Sequence, residues 1–439
     1  MITTKQKELA QWAMEYALKN GCQAARLSLY NNSNASIEIR NMKIDNLRQA
    51  SENGLSILLF VDGRYGAIST NRIEKKELEN FILNGIESIR FLAEDVARRL
   101  PDASLYYKGG SADLQLYDRK FPTIHPDDKV ALAMNVCDEI MDKDERLIST
   151  STYWSDEELF VYRIASNGFE GESSGTNFSL AAEVSIKGEG DARPEATWYE
   201  SSLFLDELIK TGIGKKALER AISRIGQKKM ASAKMPMVVD FVNSMQLMSP
   251  VLTAIEGASI QQKKSFLLDK LQQKVFNDKM TLVDDPHLIR SSGARYFDSE
   301  GIATKKRNIF DAGVLNFYFI DTYNANKLNM PITIGSPSIL SMPGGTKNAE
   351  GLASSLEKGI LVTGFNGGNC NPTTGDFSYG IEGFLIENGK ITQPVYEMNI
   401  TGNMLTLWNS LVEIGNDARL TSSYRIPSLL FDNVDFSGM

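Results

Sequence analysis

Short turn signals between apolar runs constrain this chain more than any other feature. Asp62-Gly63 separates Leu55–Val61 from Tyr65–Ile68, and Asn167-Gly168 follows Leu159–Ser166. Asp311-Ala312-Gly313 precedes Leu315–Ile320, and Asn388-Gly389 lies between Gly383–Ile386 and Ile391. Such residues accept the positive φ of a tight turn, so each predicts a pair of antiparallel strands. Other strand-like stretches are Ala25–Tyr30, Ala35–Arg40, Asn46–Ala50, Ile148–Trp154, Phe178–Lys187 and Met237–Phe241. Strands grouped in hairpins argue against a doubly wound parallel sheet.

Amphipathic helices separate the strand groups. Thr3 and Gln6 have capping-box spacing, and Leu9, Trp12, Ala13, Tyr16 and Ala17 keep the helical period up to Gly21. The apolar stripe from Leu78 through Ile89 to Leu92 and Val96 predicts one long helix that stops before Pro101. Pro126 opens a third helix, with Cys137 on its inner side as a packed thiol. Leu203–Ile225 reads as a helical connector, Asn243–Gly257 as a helix broken or kinked at Pro250, and Ser259–Phe276 as another helix. The expectation is an α+β chain. Residues 1–230 form an N-terminal α/β domain with long helices on a mostly antiparallel sheet. Residues 231–439 form a strand-rich antiparallel β domain with a few helices. No short-period repeat is visible.

Composition removes several function classes. Lys and Arg total 47 against 55 Asp and Glu, a net charge of −8, and no basic stripe offsets it, so nucleic acid is not an expected partner. The longest apolar runs fall far short of the ~20 residues of a spanning helix, and the N-terminus lacks a signal-peptide core. A cytoplasmic setting without membrane contact is expected, and three Cys in 439 residues fit a reducing compartment. Only two His occur, His125 and His287, so H-E-x-x-H zinc sites are impossible. Walker A, G-x-G-x-x-G and G-x-S-x-G motifs are absent.

The local candidates are few. Cys370 is a conceivable nucleophile, with only His125 or His287 as a base. Asp284-Asp285-Pro286-His287 offers metal-ligand chemistry, although Asp-Asp-Pro is commonly a capping turn. His125 reads as structural at a helix start, and Glu157-Glu158 as a surface pair. In the Gly-rich loop, Gly367 and Gly368 with Asn369 and Asn371 allow close backbone approach, and strands on both sides leave room for an open sheet edge. An extended peptide can pair with such an edge through main-chain hydrogen bonds. A strained turn without a ligand is the alternative.

Several blocks in order resemble the TldD/PmbA family of metallopeptidase proteins, also called modulators of DNA gyrase. They are Gly54-Leu55-Ser56-Ile57 with Asp62–Asn71; Phe297–Thr304 with Gly313-Val314-Leu315 and Asp321–Ala325; Thr374–Gly380 with Gly383–Ile391; and Gly402-Asn403-Met404 with Ile414–Asp417. Together they span nearly the whole chain. By that resemblance the zinc-bearing TldD type carries H-E-x-x-x-H on a helix early in its second domain and a Cys near its C-terminus. Here Ser249, Pro250 and Thr253 occupy the approximate positions of His, Glu and His, and no Cys follows Cys370. The chain therefore resembles the TldE/PmbA type, which lacks the motif. No catalytic residue and no metal ligand of its own are expected.

The resemblance implies a cytosolic complex of TldD-like and TldE-like chains that trims extended or unfolded peptides. This chain would bind peptide, and the TldD-like partner would bring the zinc. A homodimer remains open beside that heterodimer. Two other readings stand: a self-contained hydrolase using Cys370 or a site at Asp284, Asp285 and His287, and a peptide-binding homodimer that cleaves nothing.

Overall fold

The computed structural model describes residues 1–438. In the first half, α1 (Thr4–Lys19) leads into β1 (Ala24–Arg40), β2 (Lys43–Val61), β3 (Arg64–Thr70) and α2 (Lys75–Ile89). Then α3 (Pro126–Asp138) leads into β4 (Leu147–Ala165), β5 (Phe169–Ile186), β6 (Glu195–Ser202) and α4 (Ile213–Ser223). The six strands form one antiparallel sheet in the order β3-β2-β1-β4-β5-β6. The two groups are therefore the same helix–three-strand–helix unit, facing each other across the β1–β4 seam. Register repeats too. Ala24 faces Phe60 and Leu27 faces Ile57 in one hairpin; Ser149 faces Ser185 and Thr152 faces Ala182 in the other, each number higher by 125.

All four helices cover one face of this sheet. Leu27 and Leu29 meet α1 and α2, Ile37 and Ile39 meet α3 and α4, and alternation puts these odd-numbered residues on one side. Side chains such as Val161 and Arg163 point the other way, towards the second half of the chain.

The second half begins with β7 (Ala233–Val239), α5 (Ser244–Ala254) and α6 (Gly257–Gln261). Short strands β8 (Leu282–Asp284), β9 (Arg307–Asp311) and β10 (Val314–Leu315), helix α7 (Thr322–Leu328), β11 (Leu340–Ser341) and α8 (Ala349–Ala353) follow. Then come β12 (Lys358–Cys370), β13 (Asp376–Glu387), β14 (Lys390–Asn403), α9 (Met404–Asn409), β15 (Leu411–Ile414), β16 (Tyr424–Arg425) and β17 (Leu429–Ser437). The main sheet runs β14-β13-β12-β7-β17-β15, and β14 pairs with β17 as well, closing five strands into a ring. Closure pairs each of these five strands on both sides over part of its length. The core joins Met237, Val362, Tyr379, Ile400 and Phe431 to Leu247, Met248 and Val251 of α5. The fully buried Trp408 donates from its indole to the Leu247 carbonyl (3.3 Å) and so ties α9 to α5. Each such side chain contributes about 1.5–3 kcal/mol by leaving water.

The chain is thus α+β, strand-rich throughout, and no helix is long and apolar enough to cross a membrane among the described residues. Several element limits differ from expectation. Ala25–Tyr30 and Ala35–Arg40 are one strand, and Asn46–Ala50 runs into Leu55–Val61. The polar Asn31–Asn34 stretch stays extended because β2 and β4 hydrogen-bond it from both sides. The helix predicted to reach Val96 stops at Ile89; Leu92 and Val96 are exposed, while Asp95 and Arg99 reach Lys327 and Asn326 of the second half. The connector at Leu203–Ile225 is helical only from Ile213, after Gly212 with its positive φ. Ser259–Phe276 is helical only to Gln261, since Lys263, Asp269 and Gln272 are left-handed and Phe266 N–H bonds to the Pro372 carbonyl instead.

Candidate functional site

β12 pairs with β7 only at Ile360–Val362; past that point it pairs with β13 alone. Arg220 of α4 donates to the Thr363 carbonyl (3.2 Å) and covers the first free position. Beyond it, a bulge between Phe365 and Gly368 leaves Asn366 and Gly367 without a partner across the ladder. Gly367 (φ +114°) and Gly368 (φ +99°) take conformations that side chains resist. At Gly368 a Cβ would run into the Ser378 carbonyl, whereas at Gly367 it would meet open space. Asn366 through Asn369 are exposed on this half-open edge.

Asn371 does a different job from its neighbours. Its side chain accepts from Thr373 N–H (2.9 Å) and Thr374 N–H (3.4 Å), closing the turn into β13. Asn403 locks the same turn by donating to the Thr374 carbonyl (2.8 Å) and the Asp376 carboxylate (2.9 Å).

On α5, Leu247, Met248, Val251 and Leu252 turn inward, so Gln246 and Ser249 lie exposed and Pro250 and Thr253 half-buried on the outer side. The metal implied by the resemblance has no fitting donors there. A hydroxyl pair and a ring carbon skeleton lack the imidazole, thiolate or carboxylate that zinc requires. No group of three or more His, Cys, Asp or Glu is placed to hold a metal among the described residues.

The remaining candidates do not converge. Asp284 is buried and accepts from Ser338 N–H (2.9 Å) and Ile339 N–H (3.0 Å); Asp285 pairs with Lys306 (2.8 Å); His287 Nε2 meets the Thr304 hydroxyl (3.0 Å). Burial pushes the Asp284 carboxyl up. His125 caps α3, accepting from Asp127 N–H (3.3 Å). Burial and the Asp376 carboxylate push the Cys370 thiol up to about 11, which leaves it protonated near neutrality.

A feature the sequence reading missed is a cleft of about 1650 Å³ on the helix-free face of the first sheet. Its floor is the middle of β4 and β5, and its walls are the strap around Leu114–Tyr117 and the segment around Arg295–Ser299. Arg163 stands on the floor. Burial, then the Arg26 charge, weakens its hold on its proton, while Asp298 acts the other way. Of the pair Glu157-Glu158, Glu157 is exposed and Glu158 is half-buried, accepting from the Tyr117 hydroxyl (2.7 Å). The one sequence signal was the small-residue run Gly171-Glu172-Ser173-Ser174-Gly175, too polar to announce itself as a strand.

Family models cover most of the chain in three pieces: PmbA/TldA metallopeptidase domain 1 at residues 25–94, the central domain at 119–225 and the C-terminal domain at 232–438. The metalloprotease PmbA homolog of Haemophilus influenzae is 28% identical, covering 100% of this chain and 98% of its own length. The crystal structure of a modulator-of-DNA-gyrase protein from Bacteroides thetaiotaomicron is 62% identical over 100% of both chains, with a TM-score of 0.98. TldE from Thermococcus kodakarensis shares the fold, with a TM-score of 0.85 at 18% identity over 98% of this chain and 100% of that one. Sequence blocks, domain models and these relatives agree: the chain belongs to the TldD/PmbA family.

Proposed function

We propose that this chain is the metal-free, TldE/PmbA-like subunit of a cytosolic two-chain peptidase. It holds extended or unfolded peptides, and a TldD-like homologue supplies the zinc and the general base. The observation that carries this reading is the outer side of α5, where Ser249, Pro250 and Thr253 stand in place of any ligand set. The half-open edge of β12 at Gly367, Gly368 and Asn369 supports peptide binding, because main-chain pairing asks little of the peptide's sequence. Asn371 shapes that edge through its turn. The net charge of −8 favours peptide over nucleic acid. Residues 1–230 and 231–439 act as the two domains of the subunit.

Elemental analysis of the purified chain, followed by a peptidase assay with and without the metal-bearing homologue, tests the proposal. The expected result is far less than one zinc per chain, no turnover alone, and turnover on mixing. Chelator-sensitive cleavage by this chain alone overturns it.

A further inference from the structure

We propose that the cleft on the helix-free face of the first sheet receives the C-terminal end of an extended peptide, with Arg163 binding the terminal carboxylate. This rests on the peptide-binding reading above and deepens it by naming which end of the peptide is recognised, and where.

Size and shape come first. The cleft of about 1650 Å³ exceeds the ~300–1,000 Å³ typical of small-molecule sites. Its floor follows β4 from Glu157 to Arg163, so at ~3.3 Å per residue it is about 20 Å long, enough for about six extended residues. Alternation brings Val161 and Leu159 to this face beside Ser173 and Gly175, their partners on β5. That floor is low and partly apolar.

The side of the cleft carries an unpaired strand edge. β6 covers β5 only from Phe178 onward, so the preceding residues of β5 pair on one side alone. Thr176 N–H is taken by the Leu116 carbonyl of the strap (3.0 Å). Among the described residues the outward N–H and C=O groups of the Gly171–Gly175 stretch have no hydrogen-bond partner, which leaves them free for a further strand.

One end is blind. A Cβ on Gly171 would come within 2.8 Å of the Phe169 ring and 2.9 Å of the Phe297 ring, so the two rings close the floor there. Arg163 faces Gly171 across the ladder, at the closed end. A chain that pairs with the β5 edge beside this floor ends near the cation.

Charge supplies the third argument. The Arg163 guanidinium has no hydrogen bond or ion pair among the described residues, although it lines the cleft. Its neighbours are already engaged. Arg26 faces Glu300 (3.5 Å), and Arg295 donates to the Ser338 hydroxyl (2.9 Å) and the Ser336 carbonyl (2.8 Å). Asp298 accepts from Glu300 N–H (2.8 Å) and Ile302 N–H (3.0 Å) through one oxygen, and its other oxygen is buried without a partner. With Arg307 and Asp284, which belong to the same cluster, four guanidinium groups thus meet three carboxylates, which leaves one positive charge to be balanced. A terminal carboxylate balances it and matches the planar fork of Arg with two charge-assisted hydrogen bonds. An internal peptide group brings no charge and cannot.

The test uses the full chain and an octapeptide of Ser, Thr and Val labelled at its N-terminus, made once as the free acid and once as the C-terminal amide. Fluorescence anisotropy reads both affinities. The acid is expected to bind at least about tenfold tighter than the amide. Arg163→Gln should erase that preference, and Ser173→Trp, on an exposed strand position, should weaken both forms with an unchanged melting temperature. Equal affinity of acid and amide for the unaltered protein overturns the proposal, as does failure of both to bind; neither needs a variant. Displacement of the acid by an equal concentration of inorganic phosphate also overturns it, because the site would then be a general anion receptor. Acid preference without turnover on adding the metal-bearing homologue would sink the subunit reading and keep this site. Turnover without acid preference would do the reverse.

Discussion

Cys370 shows how local chemistry decides a role. A thiol held up to about 11 by burial and by Asp376 is almost wholly protonated at neutral pH. Iodoacetamide followed by mass spectrometry should label it slowly at pH 7.5 and faster only as the pH climbs towards that value. Cys370→Ala should leave partner-dependent peptidase activity within about twofold of the parent, since no step depends on the thiolate. Asp144 moves the opposite way. Hydrogen bonds from the Arg146 side chain (2.6 and 2.8 Å) and then from its backbone N–H (2.9 Å) hold this carboxyl down to about 2. A depressed carboxyl adds stability that is complete above the unfolded value near 4 and lost as the pH falls to the folded value. Asp144→Asn should therefore melt below the parent at pH 7, and the gap should close between pH 4 and pH 2 in a thermal-melt series.

Elements add geometry that residues alone lack. In β12 the adjacent Gly367 and Gly368 look alike in sequence, yet only Gly368 is pressed against the neighbouring strand. Gly367→Ala should cost about 1–2 kcal/mol for its dihedral angle, and Gly368→Ala several kcal/mol more, because the bulge must open. Urea denaturation of the two variants side by side checks the difference. The same contrast explains what was legible. Hairpins at Asp62-Gly63 and Asn388-Gly389, the capped first helix and the helix at Pro126 are written in local residue types. The extended Asn31–Asn34 stretch and the non-helical backbone after Gln261 are set by what packs beside them, so no local pattern announces them. The candidate sites divide in the same way. The poverty in His is visible in the residue count, but the half-open edge of β12 depends on where β7 ends. Arg163 depends on alternation within a strand and on a strap far away in sequence.

At the scale of the molecule, a small apolar cluster and the Glu300 carboxylate help couple the halves, beside the Asp95–Lys327, Arg224–Glu382 and Arg290–Glu207 ion pairs. Glu300 faces Arg26 of β1 with one oxygen (3.5 Å) and accepts from the Thr322 hydroxyl (2.7 Å) and N–H (2.9 Å) with the other. Phe297 packs edge-on to Phe169 (centroids 5.2 Å apart) and stacks on Tyr107 (5.8 Å), and Tyr106 and Ala165 complete the cluster. The buried residues of the three main cores stay within one half each, while Phe241 packs against a first-half core and Leu114, Ala294 and Ile339 form a second small cluster across the junction. Phe297→Ala removes one of the rings that join them and leaves a cavity beside Gly171. The cost should be about 3–5 kcal/mol, the usual range for a buried Phe. The loss falls on the junction rather than on either core, so the change should be qualitative as well. Calorimetry should show one endotherm for the parent and two for the variant, with the calorimetric enthalpy exceeding the van't Hoff value. A single shifted endotherm with equal enthalpies would mean that the coupling resides elsewhere, with the strap and Glu300 as the next elements to cut.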